Sequence, residues 1–473
     1  AERERIMNRT KDLIVVGNGM ATCRLLDELV SRRGHEHYRI QVIGEEAGGA
    51  YNRVQLSKVL GGAEPDAVVT KPPRWYEDHG IRLHSNRRVD RLEPKERRVF
   101  FDDGESVHYD VAVLSTGSQP IVPPLEGMND DRGEMKPGLF VYRTIEDCMR
   151  IRAYARPGDT AVVLGGGLLG LEAAKVLGDR GLHVTVVHLG HGLMNTQLDF
   201  VGGEMLRRQI EQTGLFVRTG RTLDSIVGAD AVEGVLLDDG EHLSADLVVL
   251  ACGVRPRVEV AKKSKIPVNK GILVNDALAT QVPGVYAIGE CTEHAGATFG
   301  LVAPAWEQAT VLAELLTGAQ PLARYHGTKL YSRLKVAGVD VAALGVLEPL
   351  LDSDQVIQVI EERKMTYRKL ILRDKKLIGA MFVGDVRNSA ALIQSYDRDE
   401  TLPDDPLESL CSFSATGASA SSTTRLVCNC HQVTETVIRD AIAAGADSVE
   451  LVVETTRAGS GCGSCKSELA RLV

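Results

Sequence analysis

Four of the nine cysteines fall between residue 428 and the end of the 473-residue chain, as C-x-C (Cys428, Cys430) and then, after residues 431–461, C-x-x-C (Cys462, Cys465). Four clustered thiolates are the ligand set of a [2Fe–2S] centre, which passes single electrons, or of a structural zinc ion. Gly461 and Gly463 let the second cysteine loop fold tightly and turn its N–H groups toward sulfur. Zinc knuckles usually repeat C-x-x-C at both ends, and this chain does not. Iron–sulfur is therefore the expectation and zinc the rival. His431 reads as a helix-entry residue rather than a ligand. Between the pairs, TETVIRDAIAAGA has helical periodicity, with Thr434 as its N-cap.

Two glycine loops offer a second chemistry. Gly165, Gly167 and Gly170 make a complete G-x-G-x-x-G, whereas Gly17 and Gly19 are followed by Thr22 where Gly or Ala is expected. In such a loop the first glycine makes the turn and the second admits a pyrophosphate. The helix N-terminus behind them stabilises the negative charge. The expected contacts extend to Met20 and Ala21 in the first loop and to Leu168 and Leu169 in the second. Thr22 is expected to loosen helix–strand packing slightly. Past the first loop, Glu45 and Glu46 lie where a carboxylate would accept adenosine ribose hydroxyls. Past the second, that position holds His188. No Arg or Lys lies in residues 188–197 to receive a 2′-phosphate, so NADH is favoured over NADPH.

Each loop sits where the sequence pattern predicts a strand–turn–helix–strand unit. The first has strands at 13–16 and 39–43. The second has strands at 161–164 and 184–187, with a helix from about Leu168. Each unit is followed by a β-meander with an Asp-Gly turn (Asp103-Gly104, Asp239-Gly240) and then a buried strand. This loose internal duplication predicts two dinucleotide-binding domains built alike. A helix is expected near residues 305–316. Residues 325–400 read as strands, with TYRKLILRDKKLIGAMFVGD alternating around a charged turn. TLPDDPLESLCSFSATGASASSTT breaks all periodicity and reads as a flexible linker.

Composition excludes several function classes. Hydrophobic residues make up 44% and charged residues 25%, which suits a globular enzyme. A net charge of −9 and only 4% aromatics argue against nucleic-acid binding. The segment AERERIMNRTKDLIVVG has no apolar core of a signal peptide, and no apolar run reaches the ~18 residues of a membrane span. The expected location is cytoplasmic, where clustered thiols read as metal or redox sites. Cys23, Cys148, Cys252 and Cys291 read as small buried hydrophobes, and Cys411 has no assigned role.

The stretches VVGNGMAT, AYNRVQLSK, STGSQPIVPP, VYRTIED, LGGGLLGLEAA, ACGVRP, VYAIGECTEHAGATFGLVAPAWEQA and RLKVAGVDVAALG together resemble the two-dinucleotide flavoprotein disulfide-reductase superfamily. Within it, the chain is similar to the N-terminal half of NAD(P)H nitrite reductase large subunits. It is equally similar to the flavin-containing electron-transfer subunits of assimilatory nitrate reductases. The C-terminal cysteines resemble the [2Fe–2S] domain related to bacterioferritin-associated ferredoxin.

The resemblance implies an α/β architecture of two Rossmann-like domains, a small α+β third domain and a small C-terminal [2Fe–2S] domain. Residues 12–120 and 251–322 would bind FAD, and residues 121–250 would bind NAD(P)H. Residues 323–400 would form an interface domain, 401–424 the linker and 425–473 the cluster domain. Arg53 and Lys58 would approach the flavin, with Lys58 as the catalytic candidate polarising its edge. Thr116 and Gly117 would lie near the FAD phosphates. Gly289 and Glu290 would meet the ribityl chain, with Glu290 replacing a commoner Asp. Gly253 completes the nucleotide contacts. Pro304, Ala305 and Trp306 open a helix whose dipole would favour reduced, anionic flavin.

The family's C-x4-C or C-x-x-C dithiol is missing, since Cys23 has no partner at those spacings. Electrons from the flavin would thus need the C-terminal cluster as their exit. Only eight residues follow Cys465, which leaves no room in this sequence for a sirohaem or molybdenum domain. The expectation is an NADH-dependent electron-transfer subunit whose partner is a molybdenum-dependent nitrate reductase catalytic subunit or another redox protein. The alternatives are the electron-input part of a nitrite reductase and a redox-sensing flavoprotein.

Overall fold

The computed structural model describes residues 10–411, 426–428, 433–459 and 465–473. The chain divides into two units. One comprises residues up to 56, 64–120 and 254–328, and the other comprises 57–63, 121–253 and 329 onward.

In the first unit, the apolar run Leu13–Val16 ends the strand Lys11–Val16, which is too hydrophobic to tolerate an exposed face. It occupies the middle of a five-stranded sheet, as continuous apolar strands of parallel sheets do. The order is Val285–Ala287, Val111–Leu114, Lys11–Val16, Tyr38–Ile43, Arg82–His84, all parallel. The helices Met20–Ser31 and Val302–Thr317 pack together through Leu25, Leu26, Leu29, Ala309, Leu312 and Ala313. The predicted meander is present as Val89–Glu93, Arg98–Phe101 and Ser106–His108, with Gly104 at φ +87° in its turn.

The second unit repeats the plan. Its parallel sheet runs Leu139–Val141, Leu247–Leu250, Thr160–Leu164, His183–His188, Phe216–Thr219. The meander is Leu223–Val227, Gly234–Leu237, His242–Ser244, with Gly240 at φ +89°. An antiparallel sheet follows in the order Tyr331–Val336, Val339–Gly345, Lys376–Val383, Thr366–Arg373, Gln355–Glu361, covered by the helix Ser389–Asp397. That sheet meets the helix Phe200–Glu211 through a buried ionic cluster. Asp199 caps the helix by accepting from the Gly202 amide (2.8 Å). It also accepts from Tyr367 Oη (2.5 Å) and Lys369 Nζ (2.9 Å).

Two features depart from the sequence reading. Residues 406–411 form the helix Pro406–Cys411 inside the expected linker, because Leu402 and Leu410 bury into the core of the antiparallel sheet. The rest of that stretch, 412–425, lies outside the described residues. Residues 57–63 group with the second unit although their neighbours on both sides belong to the first.

The last module pairs Leu426–Cys428 with Val433–Thr434 and packs three short helices, Glu435–Ala443, Val449–Thr456 and Lys466–Leu472, around Ile438, Val452 and Leu469. Thr434 is the N-cap, accepting from the Val437 amide.

Candidate functional site

The two glycine loops share one geometry. At Gly17 (φ +111°) a Cβ would lie 2.0 Å from the Ser115 carbonyl oxygen, and at Gly165 (φ +126°) one would lie 2.1 Å from that of Ala251. Both are close backbone crossings that only glycine permits. Gly19 and Gly167 then take the N-cap positions of Met20–Ser31 and Leu168–Asp179, and neither helix has a side-chain cap. A Cβ at either residue would meet nothing within 4 Å. Each loop thus leaves open space in front of uncapped helix amides, opened by Met20 and Ala21 or by Leu168 and Leu169. That is the cradle an anionic pyrophosphate requires.

The third loop position differs between the units. A Cβ on Gly170 would lie 2.0 Å from the Gly165 carbonyl oxygen. Thr22, five residues past Gly17 as Gly170 is past Gly165, is fully buried and donates its hydroxyl to the Gly17 carbonyl at 2.8 Å. In place of the looser packing expected, a hydrogen bond fills the gap.

In the first unit several residues expected at the flavin are held by polar contacts. Glu46 accepts from Tyr51 Oη (2.6 Å) and pairs with Arg53, whose Nη1 also donates to Tyr51 Oη (2.5 Å). Burial alone would lower the Arg53 pKa, but Tyr51, Glu46 and Glu290 outweigh it and hold the guanidinium charged. Glu45 pairs with Arg257 and, at 3.9 Å, with Arg88. Glu290 accepts from the Ser118 hydroxyl. Thr116 donates to the Arg257 carbonyl at 2.6 Å, and Gly117 (φ +67°) faces open space. Pro304, Ala305 and Trp306 lie in the first turns of Val302–Thr317, whose N-cap Leu301 provides no side-chain bond.

Gln308 was not singled out from the sequence, yet it is 1% exposed and its Oε1 accepts from the Gly289 amide at 2.7 Å. It thereby joins the helix to the Gly289–Glu290 turn. A polar residue on an otherwise apolar helical face was the available signal.

In the second unit, Lys58 lies on the helix Leu56–Leu60. Glu172, on the helix Leu168–Asp179, is a second residue not singled out from the sequence, and the Ser57 hydroxyl acts on its carboxyl. Burial pushes the Glu172 carboxyl up to about 7, with Ser57 opposing. Its signal was an acid inside LEAA, among the buried residues Leu171, Ala173 and Ala174 of that helix. His188 ends the strand His183–His188 and accepts from the Gly166 amide through Nδ1 at 3.2 Å. Gly253 (φ +95°) accepts from the Ile121 amide at 2.9 Å.

Burial pushes the Cys148 thiol up to about 12, the Cys252 thiol up to about 11 and the Cys291 thiol up as well; Cys148 and Cys291 are buried as expected, whereas Cys23 and Cys252 are only half-buried. Cys23 Sγ lies 3.5 Å from Thr70 Oγ1. In the C-terminal module, Cys428 and Cys465 are buried in one apolar cluster with Ile438, Val452 and Leu469. Sulfur held in an apolar shell suits a cluster ligand. Cys430, Cys462, His431, Gly461 and Gly463 lie outside the described residues. Among the described residues no helix is long and apolar enough to cross a membrane.

Comparison with known proteins agrees with this geometry. Residues 11–310 match the family model of pyridine nucleotide-disulphide oxidoreductases, 331–397 the rubredoxin NAD+ reductase C-terminal domain, and 426–473 the BFD-like [2Fe-2S] binding domain. The chain is 36% identical to a nitrite reductase [NAD(P)H] of Bacillus subtilis, over 96% of this chain and 56% of that protein. It is also 36% identical to the assimilatory nitrate reductase electron transfer subunit of the same organism, over 96% and 58%. The chain thus spans little more than half the length of these relatives. Putidaredoxin reductase, in its covalent complex with putidaredoxin, shares the fold with a TM-score of 0.75 at 23% identity, covering 85% of this chain and 96% of that one. With its two nucleotide cradles and its buried C-terminal thiols, the chain belongs to the pyridine nucleotide-disulphide oxidoreductases, as an NAD(P)H- and FAD-dependent oxidoreductase with a C-terminal [2Fe–2S] domain.

Proposed function

We propose that this protein carries electrons from NADH through FAD to the C-terminal [2Fe–2S] centre and on to a partner, the catalytic subunit of an assimilatory nitrate reductase, in the cytoplasm. The observation that carries the reading is the pairing of two uncapped glycine cradles with a thiolate module on one chain, where the first helix offers only Cys23 and no dithiol. Bound flavin takes a hydride as two electrons, and an iron–sulfur centre passes them singly.

The chain's own residues supply the setting. Gly19 and Gly167 admit the pyrophosphates, and Arg53 and Glu290 shape the flavin site. Lys58 is the candidate for polarising the flavin, and Cys428, Cys430, Cys462 and Cys465 would hold the metal. The 36% identity to a nitrate reductase electron transfer subunit supports the choice of partner. Equal identity to a nitrite reductase supports a second reading, the electron-input part of that enzyme.

Purifying the native complex, with flavin, iron, sulfide and molybdenum analysis of what co-elutes, tests the assignment. A molybdenum-containing subunit supports the first reading and a sirohaem polypeptide the second. Steady NADH oxidation with ferricyanide separates either from a redox sensor, which would turn over poorly.

A further inference from the structure

The parallel sheet of the second unit ends in register at one edge. Val141 pairs with Leu250, Leu250 with Leu164 and Leu164 with Val187, so the chain leaves four neighbouring strands side by side at Tyr142, Ala251, Gly165 and His188. The strand order reverses between Leu247–Leu250 and Thr160–Leu164, and a dinucleotide lies across such a crevice, outside the carboxyl ends of the strands. Its pyrophosphate belongs to the Gly165–Gly170 loop, and the ribose-contact position at His188 puts its adenosine half over the strand His183–His188. Its nicotinamide half therefore lies on the other side, toward Leu247–Leu250 and Leu139–Val141. At ~4.8 Å per strand, Tyr142 stands roughly 10 Å from the loop in that direction.

Tyr142 is 3% exposed, and its Oη is buried with no hydrogen-bond partner among the described residues. A buried hydroxyl left unpaired is costly, so a bound ligand is its natural partner. The turn behind it is fixed. Asp147 accepts from the Arg143 amide at 3.0 Å and the Thr144 amide at 2.8 Å, and Thr144 caps the helix Ile145–Tyr154 in return. Burial is the largest influence on the phenol and pushes it well above its ordinary range, with Cys148 and Glu172 adding to the rise, so the hydroxyl stays protonated and donates. Glu172 lies in the second turn of the helix Leu168–Asp179, which follows the phosphate loop. The orphaned hydroxyl and the acid thus share one neighbourhood beside that loop.

We propose that Tyr142 binds the nicotinamide end of the dinucleotide, its Oη donating a hydrogen bond to the carboxamide oxygen. A carboxamide offers one acceptor oxygen and one N–H2 donor, and here a phenol donor lies near a carboxyl acceptor. The bond fixes which way the carboxamide, and with it the ring, is turned. This inference rests on the reading of the Gly165–Gly170 loop as the nicotinamide-nucleotide site.

The test is calorimetric binding of NAD+, of its 3-acetylpyridine analogue and of ADP-ribose to the FAD-loaded full chain, which needs no turnover. The analogue keeps the carbonyl and lacks the amide nitrogen, and ADP-ribose lacks the nicotinamide altogether. Tyr142→Phe removes only the hydroxyl. It should weaken NAD+ and the analogue by about fivefold, the size of one neutral hydrogen bond, and leave ADP-ribose within about twofold of wild type. Because the hydroxyl is unpaired in the nucleotide-free chain, the variant should melt no lower than wild type before nucleotide is added. NAD+ binding unchanged within about twofold, ADP-ribose weakened as much as NAD+, an analogue insensitive to the substitution, or a nucleotide-free variant that melts lower would each overturn the proposal. Failure of the underlying reading looks different: neither NAD+ nor ADP-ribose binds wild type, or Gly167→Val, which fills the open cradle, binds both as wild type does.

Discussion

Glu172 gives a stability prediction whose sign changes the usual expectation for an acid. Its carboxyl rises from an ordinary 4.5 to about 7 because burial penalises the charge more than Ser57 stabilises it. Between those two values the folded protein holds a proton that the unfolded chain has released. Stability therefore falls as pH rises through this window, and the loss is complete above about 7. At about 1.4 kcal/mol per pH unit, the ionised carboxylate costs roughly 3 kcal/mol at pH 8. Replacing it with a neutral isostere, Glu172→Gln, removes that cost. The variant should exceed wild type by up to roughly 3 kcal/mol at pH 8 and match it near pH 4.5. Urea unfolding of both proteins at the two pH values, followed by hydrogen exchange across residues 168–179, reads the difference. A variant less stable than wild type at pH 8, or one with the same difference at both pH values, would refute the burial argument.

The buried cluster at Asp199 supplies a second prediction: Asp199→Ala leaves Lys369 with only the Glu348 carboxylate and the Leu347 carbonyl, removes the helix cap and should destabilise the second unit by about 2–3 kcal/mol. Asp199→Asn keeps the acceptor for the Gly202 amide and should cost less, as thermal unfolding would show. Gly17→Ala drives a Cβ to 2.0 Å from the Ser115 oxygen. It should abolish FAD retention, measured as flavin per chain. Cys465→Ser should lose iron and sulfide while flavin content stays at the wild-type level, since Cys465 belongs to the core of a separate module.

The glycine loops were legible in sequence because close backbone approach leaves a residue-type signature. Gly17, Gly165 and Gly170 stand where a Cβ has no room. The sheets around them were legible because parallel strands are apolar on both faces, as Leu13–Val16 and Ala161–Leu164 are. What sequence did not reveal depends on contacts distant along the chain. Thr22 looked like a packing defect until its hydroxyl was placed on Gly17. Gln308 reaches Gly289 from a helix 19 residues away. Asp199 meets Lys369 across 170 residues. The helix at 406–411 was hidden by the polar, proline-containing composition of its surroundings, and only burial of Leu402 and Leu410 explains its place. The unit to which 57–63 belong is likewise set by packing, with Arg152 donating to the Val59 and Ala63 carbonyls.

Anaerobic addition of substoichiometric NADH to the purified full chain, followed by visible absorption and electron paramagnetic resonance, tests the central claim most directly. Flavin bleaching together with a reduced [2Fe–2S] signal is expected in wild type, and bleaching alone in Cys465→Ser. A flavin that bleaches fully while the wild-type iron–sulfur centre stays oxidised, or a C-terminal module that holds zinc and no inorganic sulfide, would contradict it.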